Sequence, residues 1–466
     1  MNTLLLQPSD VLFFRDGRPM NASLAGHGAA WPMPNVISAA LHAALHRAGL
    51  DGVHQHQQGA RGTYVENARR DRRFGSLVTA GPFPVSPGGR WYFPRPLDLL
   101  DETLRPALLP EQSMDWRSTS SLPEPLRYAV SRRKMPGGGT RPTNVAIKGA
   151  SAKPWLSGDA FAAYLGENNR PLTKGEAIND QDFCDAEHSI GIGIDPITGT
   201  AGQGEAEGQF YTAHYLRLRD QWQLGVGAKA SDKDFGRHGG DLVKALFQDT
   251  GNRIIIGGQQ RSCTAECRPN TIPLLPGGRT SGFHERGGKY LVKWVLLSPA
   301  VWPEIRPESK DGRNMNKHPG GWLPSWINSA NGDVLLRHRT GNIWRDYSGG
   351  KARRVAEVDL PIVAQLVAAI VPKPVVVTGY AMADETNEIE SEQNGGAQST
   401  HLAVPAGAVY YFEANSAPDA QKLAAALNWH GASEGGGIKN RRSTLLGEKG
   451  FGLGVCGTWD FFNGGQ

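Results

Sequence analysis

Glycine and proline interrupt this sequence at short intervals along its whole length. The 466 residues include 59 glycines and 31 prolines, and glycine alone is nearly twice its usual share of about 7%. The glycines follow no G-X-Y repeat, which excludes a collagen-like chain, and 12 Trp, 11 Tyr and 15 Phe argue against disorder. The sequence therefore predicts about two to four domains with many short elements and long ordered loops.

The basic side chains are mostly arginine. Of 50 basic residues 34 are arginine, and the net charge is +5, which does not by itself indicate a nucleic-acid-binding protein. The planar guanidinium binds phosphate in a bidentate manner and stacks on bases, as lysine does not. A GC-rich genome gives the same enrichment and is the alternative explanation.

Four cysteines are too few for a disulfide framework. Cys263 and Cys267 lie close together, but no second pair has zinc-finger spacing, so we predict reduced thiols, no metal site and no cofactor. Residues 1–6 lack the basic region of a signal peptide. The longest apolar run, 362–371, contains Gln365 and is too short to span a bilayer. We predict a cytoplasmic protein with no membrane contact and no small-molecule substrate.

Apolar periodicity predicts an alternation of short strands and helices. Predicted strands cover 3–6, 11–14, 211–218, 221–226, 253–256, 290–297, 375–380, 409–412 and 451–459, and 211–218 forms a hairpin with 221–226. Predicted helices cover 37–48, 241–247 and 417–427, the last after the capping residue Ser416. The region 61–154 has little periodicity and is interpreted as insertion rather than core.

Each half of this order resembles a β-α-β-β-α-β unit, with the first helix of the second half expected at 359–371. We therefore predict an α+β protein of two ferredoxin-like (RRM-like) domains with long insertions. The first domain covers 1–268 and carries a basic hairpin or loop inserted at about 100–180. The second covers 269–466 and ends in a glycine-rich loop.

The segment 447–454 (GEKGFGLG) has four glycines between the last predicted helix and the last strand. Such glycines allow main-chain N–H groups to approach an anionic backbone, and Lys449 adds a positive charge. The order helix, loop, strand excludes a P-loop and a Rossmann turn. Lys449, Gly450, Gly452 and Gly454 are candidate nucleic-acid-binding residues; a loop whose small residues serve packing is the alternative.

Two basic tracts lie beside glycine runs. The first, 127–148, has six basic residues and no acid, with Tyr128 and Met135 interleaved and glycines at 137–139. A hairpin that grips a nucleic-acid backbone needs this combination of charge, reach and stacking side chain; a solvated surface loop is the alternative. The second tract follows the glycines at 435–437. The candidate phosphate ligands in the two tracts are Arg132, Arg133, Lys134, Arg141, Lys439, Arg441 and Arg442.

Catalytic constellations are sparse. No H-E-x-x-H zinc motif occurs, and the 13 histidines are scattered, with His27, His54 and His56 in loops. A loop histidine without a visible partner rarely acts as a general base. The acidic run at 384–392 is interpreted as a solvated loop rather than a metal site. We predict that the protein is not an enzyme and has no catalytic residue.

Several motifs follow one another along the chain. They are 10–19 (DVLFFRDGRP), Trp31-Pro32, 188–211, 257–261 (GGQQR), 296–299 (LLSP), 321–324 (GWLP), 403–407 (AVPAG) and the loop at 447–454. With these motifs the sequence resembles the family of third subunits of the Cmr complex, the type III-B CRISPR effector, in the RAMP superfamily. Met20 stands where the family has Phe, and Ser298-Pro299 where it has Thr-Pro.

The resemblance implies two packed ferredoxin-like domains in a non-catalytic subunit that binds the 5′ handle of the guide RNA (crRNA) in antiviral defence. RNA contacts would come from the glycine-rich loop and a projecting hairpin. The motif arginines Arg15, Arg18 and Arg261 are further RNA-binding candidates. The protein partners would be the large polymerase-cyclase subunit and the backbone RAMP subunit.

Two other functions stay open at this point. One is a metal-independent endoribonuclease that processes guide RNA with a His or Tyr base and a Lys that stabilises the phosphorane. The other is a carbohydrate-binding module with Trp platforms. That module would require secretion, and the missing signal peptide argues against it.

Overall fold

The computed structural model describes most of the chain in segments. These are residues 1–14, 31–48, 77–99, 102–106, 132–134, 140–142, 152–195, 197–201, 210–230, 240–249, 253–306, 317–340, 344–346, 353–355, 358–381, 396–397, 399–433 and 437–459. They form an α+β structure of several antiparallel sheets and few helices. None of the helices in these segments is long and apolar enough to cross a membrane.

The helices are α1 (Pro34–Arg47), α2 (Gly158–Leu165), α3 (Leu242–Asp249) and α4 (Ala417–Leu427), with 3-10 turns at Asp180–Asp182 and Gly447–Lys449. Up to residue 268 the strands are β1 (Asn2–Pro8), β2 (Leu12–Phe13), β3 (Val78–Val85), β4 (Tyr92–Pro94), β5 (Arg132–Lys134), β6 (Thr140–Pro142), β7 (Trp155–Ser157), β8 (Ala177–Ile178), β9 (Cys184–Ile192), β10 (Phe210–Leu218), β11 (Gln223–Lys229), β12 (Arg253–Ile255) and β13 (Ser262–Arg268).

The later strands are β14 (His284–Arg286), β15 (Lys289–Leu296), β16 (Arg337–Thr340), β17 (Trp344–Asp346), β18 (Arg353–Val355), β19 (Val358–Pro361), β20 (Ala364–Ile370), β21 (Val375–Val377), β22 (Tyr380–Ala381), β23 (Gly396–Ala397), β24 (His401–Ala403), β25 (Val409–Ala414) and β26 (Gly454–Thr458).

β1 is an inner strand of the first sheet, whose order is β12-β13-β1-β11-β3 with antiparallel pairing throughout. Successive side chains of a strand point to opposite faces. Leu4 and Leu6 therefore pack with α1, whereas Leu5 belongs to a second core on the other face. Leu41 and Leu45 of α1 are fully buried in the same cluster as Leu4 and Leu6, which confirms the predicted helix and its apolar face.

Leu41→Ala is expected to destabilise the protein by about 2–5 kcal/mol, because the deleted methyl groups leave a cavity in a packed core. Urea unfolding followed by circular dichroism measures the loss. Arg47→Ala, at an exposed position of the same helix, is the control and should change stability by no more than about 0.5 kcal/mol. An unchanged unfolding midpoint for Leu41→Ala would contradict this packing of α1.

The second sheet contains β20-β25-β15-β14, and β26 also pairs with β15. As predicted, Ser416 caps α4: its Oγ accepts a hydrogen bond from the main-chain N of Asp419 at 3.2 Å. The helix predicted at 359–371 is wrong, since β19 and β20 occupy this interval. Both faces of β20 are largely buried, and periodicity does not distinguish such a strand from a buried helix.

Two predictions for the first half are also wrong. β10 and β11 exist but form no hairpin with each other, because β10 pairs with β2 and β9 whereas β11 pairs with β1 and β3. The region interpreted as insertion contains β3, a largely buried edge strand of the first sheet. Pro82 and Pro84 obscure this strand in the sequence. An edge strand accommodates them because one of its sides has no partner for an N–H group.

The two large sheets share a hydrophobic core. Leu5 and Phe83 of the first sheet lie in one buried cluster with Leu291 and Val295 of the second, and Phe161 of α2 packs in the same cluster. The two sheets are therefore held together by apolar burial.

The division into domains at 1–268 and 269–466 stays a prediction.

A buried ion pair connects the segment before α2 to the second sheet. Lys293 Nζ of β15 lies 3.6 Å from Asp98 Oδ2, and both side chains are almost inaccessible to solvent. The hydroxyls of Tyr164 and Tyr411 donate to the Asp98 carboxylate at 2.8 and 3.3 Å. Burial lowers the pKa of Lys293, and burial with the nearby Asp98 charge raises the pKa of both tyrosines. Removal of either charge would leave the other buried without a counter-charge, which would destabilise the fold.

Candidate nucleic-acid interface

The first basic tract contains a two-stranded ribbon. β5 pairs with β6 in antiparallel register, with Arg133 directly opposite Arg141. Opposed residues of an antiparallel pair share one face, so the backbone places these two arginines on the same face of the ribbon. Arg132 and Lys134 belong to the same strand as Arg133. The strands of the predicted basic hairpin are thus present.

Several predicted residues lie outside the described segments. They include the tip of the basic hairpin at 135–139, Arg15 and Arg18 of the first motif, and the loop histidines considered as general bases. RNA binding by Arg15 and Arg18 stays a prediction.

The glycine loop is packed against other parts of the chain. Gly450 and Gly452 have φ angles of +90° and +74°. A Cβ at Gly450 would lie 2.9 Å from the carbonyl oxygen of Thr79 in β3, and a Cβ at Gly452 would overlap the main chain of Ser443. A Cβ at Gly454 would overlap the indole of a buried Trp of β15. The fold itself therefore requires glycine at these positions.

Main-chain N–H groups of this loop already have acceptors inside the protein. Gly450 N donates to Gly447 O at 3.1 Å, and Gly452 N donates to Pro299 O at 2.7 Å. These internal hydrogen bonds favour the packing alternative for Gly450 and Gly452, and RNA binding by the two glycines stays a prediction. Lys449 is half-buried and remains the positively charged candidate of the loop.

The second basic tract is partly internal. Arg442 Nε donates to Ala426 O at 2.6 Å near the end of α4, and its Nη2 donates to Asn440 Oδ1 at 3.2 Å. Burial lowers the pKa of Arg442 to about 10 and also lowers the pKa of Arg441. A basic side chain at this place satisfies a helix C-terminal carbonyl, which argues against the predicted phosphate contact of Arg442. Lys439 is exposed.

The glycine loop lies beside the beginning of α1. A Cβ at Gly450 would lie 3.4 Å from Pro34 Cβ. The first turn of α1 contains no acidic residue, so the positive end of its dipole is not offset there. Thr79 Oγ1 and Asn35 Oδ1 are buried without a hydrogen-bond partner among the described residues. Glu448 lies next to Lys449 in the loop, and the unpaired Asn35 Oδ1 is an acceptor that needs a donor, so these features do not by themselves form an anion site.

Arg261 is held in an aromatic cluster that sequence patterns did not predict. Its guanidinium carbon lies 5.1 Å from the centre of the Tyr215 ring, and its Nη1 lies 3.3 Å from Asp10 Oδ2. The ring of Phe13 is 5.5 Å from that of Tyr215, whose hydroxyl donates to Gln259 Oε1 at 2.9 Å. These residues come from distant parts of the chain, and only the fold brings them together.

In the described segments, no three His, Cys, Asp or Glu side chains lie close enough to hold a metal ion. Cys263 and Cys267 are free thiols, and burial raises their pKa values to about 12 and about 11, so both are protonated at neutral pH. His188 and His214 lie opposite each other on β9 and β10, with ring centres 4.3 Å apart. This pair was not predicted.

Comparison with known proteins identifies the family. The model of the CRISPR-associated protein (Cas_Cmr3) family matches residues 4–459. A chain of the cryo-EM structure of the Type III-B Cmr-beta bound to cognate target RNA is 12% identical, with 88% of this chain and 86% of that chain covered and a TM-score of 0.39. A chain of the Csm3-Csm4 subcomplex in the type III-A CRISPR-Cas interference complex is 9% identical, with coverages of 88% and 92% and a TM-score of 0.34. No curated protein matches the sequence. Because the family model spans nearly the whole chain, the protein belongs to the Cas_Cmr3 family of CRISPR-associated proteins.

Proposed function

We propose that this chain is a non-catalytic, RNA-binding subunit of a type III-B Cmr effector complex. It binds the 5′ handle of the guide RNA and contacts two proteins, the large polymerase-cyclase subunit and the backbone RAMP subunit. The observation that carries the proposal is the basic β5–β6 ribbon, whose four basic residues occupy two paired three-residue strands in a member of the Cas_Cmr3 family.

The strand order supports a ferredoxin-like first unit. Along the chain the sequence of elements is β1, α1, β3, β11, α3 and β13, and in the sheet the strands stand as β13-β1-β11-β3. We infer a β-α-β-β-α-β unit with β12 added at its edge. The second sheet repeats this spatial order with β26, β15, β25 and β20, and α4 precedes its last strand.

In this proposal the phosphates are bound by positive groups from several elements. The β5–β6 ribbon supplies Arg132, Arg133, Lys134 and Arg141, and the exposed Lys439 and the half-buried Lys449 supply two further charges. Contacts with phosphates fix the position of an RNA strand and are independent of its sequence. Recognition of the handle sequence then falls to groups that reach the bases, for which Arg261 beside Tyr215 is the candidate.

The triple variant Arg133→Ala/Lys134→Ala/Arg141→Ala tests the phosphate contacts. We expect weaker binding of handle RNA and of scrambled single-stranded RNA alike, because phosphate contacts carry no sequence information. The slope of log affinity against log salt should flatten by about 0.7 for each lost contact. Fluorescence anisotropy at several salt concentrations measures both quantities.

Arg306→Ala is the matched control, since this arginine is 79% exposed and lies next to Glu304, away from the ribbon in sequence. It should leave the salt slope unchanged. If the triple variant folds normally by circular dichroism and keeps the wild-type slope of log affinity against log salt, the ribbon does not contact the RNA phosphates.

The alternative function is a guide-processing endoribonuclease, and the His188–His214 pair is the observation that favours it. Two neighbouring imidazoles can share the roles of general base and general acid. Incubation of the full chain with repeat RNA in EDTA distinguishes the functions. Specific cleavage that is abolished by His188→Ala would establish the nuclease, whereas intact RNA agrees with the non-catalytic subunit.

A further inference from the structure

The aromatic cluster around Arg261 is fixed from several sides. Phe13 of β2 stands directly opposite Tyr215 of β10 in their ladder. The Tyr215 hydroxyl donates to Gln259 Oε1, and the Arg261 guanidinium lies over the Tyr215 ring. Gly258 N donates to Phe13 O at 3.0 Å, which ties the loop before Arg261 to β2. The guanidinium is therefore held in place before any ligand binds, and such pre-organisation favours binding.

The loop before Arg261 has a strained backbone. Gln259 and Gln260 are consecutive residues with φ angles of +55° and +53°, a region that residues other than glycine rarely adopt. Both side chains are exposed, so burial does not explain their conformation. Strained backbone of this kind is concentrated at functional sites and ligand-binding loops. The strain is thus a second observation that marks this surface as a binding site.

Ion pairs balance the charges of this surface. Three arginines meet three carboxylates, and the pairs are Arg217 with Asp10 and with Glu187, Arg219 with Asp185, and Arg261 with Asp10. Affinity for phosphates comes from cations that replace the counterions of the RNA backbone, and here each of the three cations already has a carboxylate. The surface therefore suits the uncharged base of a nucleotide better than its phosphate.

Asp10 orients the guanidinium of Arg261. Its Oδ2 accepts from Arg261 Nη1 at 3.3 Å, and its Oδ1 lies 2.9 Å from Arg217 Nη1. A guanidinium has five N–H donors in one plane, so further donors of Arg261 remain for a ligand. Its Nε is buried and has no hydrogen-bond partner among the described residues. An unsatisfied donor costs free energy, which a ligand with suitably placed acceptors recovers.

We propose that Arg261, with Tyr215 and Phe13 beside it, binds an unstacked guanine of single-stranded RNA, and that Asp10 is its positioning residue. Guanine carries two adjacent acceptors, N7 and O6, to which arginine donates in a bidentate manner, whereas adenine has an amino donor in place of O6. Unstacked bases of single-stranded RNA stack on aromatic side chains. This inference rests on the proposed function and adds to it the base that this surface reads.

Uridine-tract RNA with a single central guanine tests the base preference of the full wild-type chain. We expect this RNA to bind about tenfold more tightly than the same RNA with a central adenine. A central 7-deazaguanine, which lacks the N7 acceptor, should lose most of this gain. Fluorescence anisotropy at one fixed salt concentration measures the affinities. Equal affinity for guanine and adenine, or tighter binding of a central cytosine than of guanine, overturns the inference.

Two variants test the residues. Arg261→Lys keeps the charge but loses the planar fork, so the preference for guanine should disappear while the slope of log affinity against log salt stays that of the wild type. Asp10→Asn frees the guanidinium and removes a negative charge. It should reduce the preference for guanine and at the same time raise the affinity for uridine-tract RNA without guanine. A merely structural role of Asp10 would instead weaken the binding of every RNA.

Asp185→Asn is the matched control. Asp185 and Asp10 are both 52% exposed, and Asp185 pairs with Arg219 rather than with Arg261. Asp185→Asn should raise the affinity for every RNA and keep the preference for guanine. Circular dichroism verifies the fold of each variant, and the base series on the wild-type chain holds even if a variant does not fold.

The results separate the inference from the proposed function. A folded Arg261→Lys variant that still prefers guanine overturns the inference, and equal loss of preference in Asp10→Asn and Asp185→Asn overturns the positioning role of Asp10. A wild-type chain that binds RNA without base preference overturns the inference and leaves the proposed function intact. A wild-type chain that binds no RNA overturns the proposed function itself.

Discussion

Asp98→Asn is expected to destabilise the folded protein by about 3–5 kcal/mol, because it leaves the Lys293 ammonium buried without its counter-charge. The ammonium lies 3.6 Å from the Asp98 carboxylate and packs over the ring of Tyr164, with almost no access to water. Asparagine keeps the size of the side chain and an acceptor oxygen for the tyrosine hydroxyls. The loss of stability is therefore due to the missing negative charge. Urea unfolding at neutral pH measures it.

The double variant Asp98→Asn/Lys293→Met provides the control. Methionine occupies a similar volume without a charge, so the double variant should be less destabilised than the sum of the two single variants. Tyr411→Phe removes one hydrogen bond of 3.3 Å to the same carboxylate and should cost about 1 kcal/mol. If the loss of stability in the double variant equals the sum of the losses in Asp98→Asn and Lys293→Met, the two charges do not stabilise each other.

Gly452→Ala is expected to destabilise the protein by about 2–5 kcal/mol, because it combines a left-handed backbone with an overlap in a packed site. Gly452 has a φ of +74°, and an added Cβ would overlap the main chain of Ser443. Gly437→Ala is the matched control, since Gly437 has a φ of +76° and no atom of the described residues lies within 4 Å of a Cβ added there. The control should cost only about 1–2 kcal/mol, the backbone contribution alone.

The same pair of variants tests the role of the glycine loop. If the loop serves packing, the part of the Gly452→Ala sample that is folded at low temperature binds handle RNA with wild-type affinity and salt slope. A stable Gly452→Ala protein with much weaker RNA binding would instead place this glycine at the RNA. Circular dichroism and fluorescence anisotropy on the same samples separate the two results.

Elements with strong local signals were predictable from the sequence. β1, α1, β15 and α4 have clear apolar periodicity or a capping residue, and the structure confirms each. β13 was missed because Cys263, Ala265 and Cys267 on its inner face are small and give a weak apolar signal. β20 was mistaken for a helix because tertiary burial on both faces removes the alternation that identifies a strand.

The candidate site was predictable only where its residues are neighbours in sequence. The basic ribbon is local, so its strands could be predicted from the charges and glycines of one segment. The role of Gly452 is decided by Ser443 and that of Gly450 by Thr79, and only tertiary contact reveals these partners.

The pairing of β1 has a consequence for biosynthesis. β1 ends at Pro8, and Gln223, where its first partner strand β11 begins, follows 215 positions later. At about 5–20 residues per second, the ribosome needs roughly 10–45 s to deliver that partner. During this interval Leu4, Leu5 and Leu6 stay unpaired on the nascent chain, where chaperones can bind them and other strands can aggregate with them. Yield of soluble protein should therefore respond to translation speed and chaperone supply as well as to the stability of the finished fold.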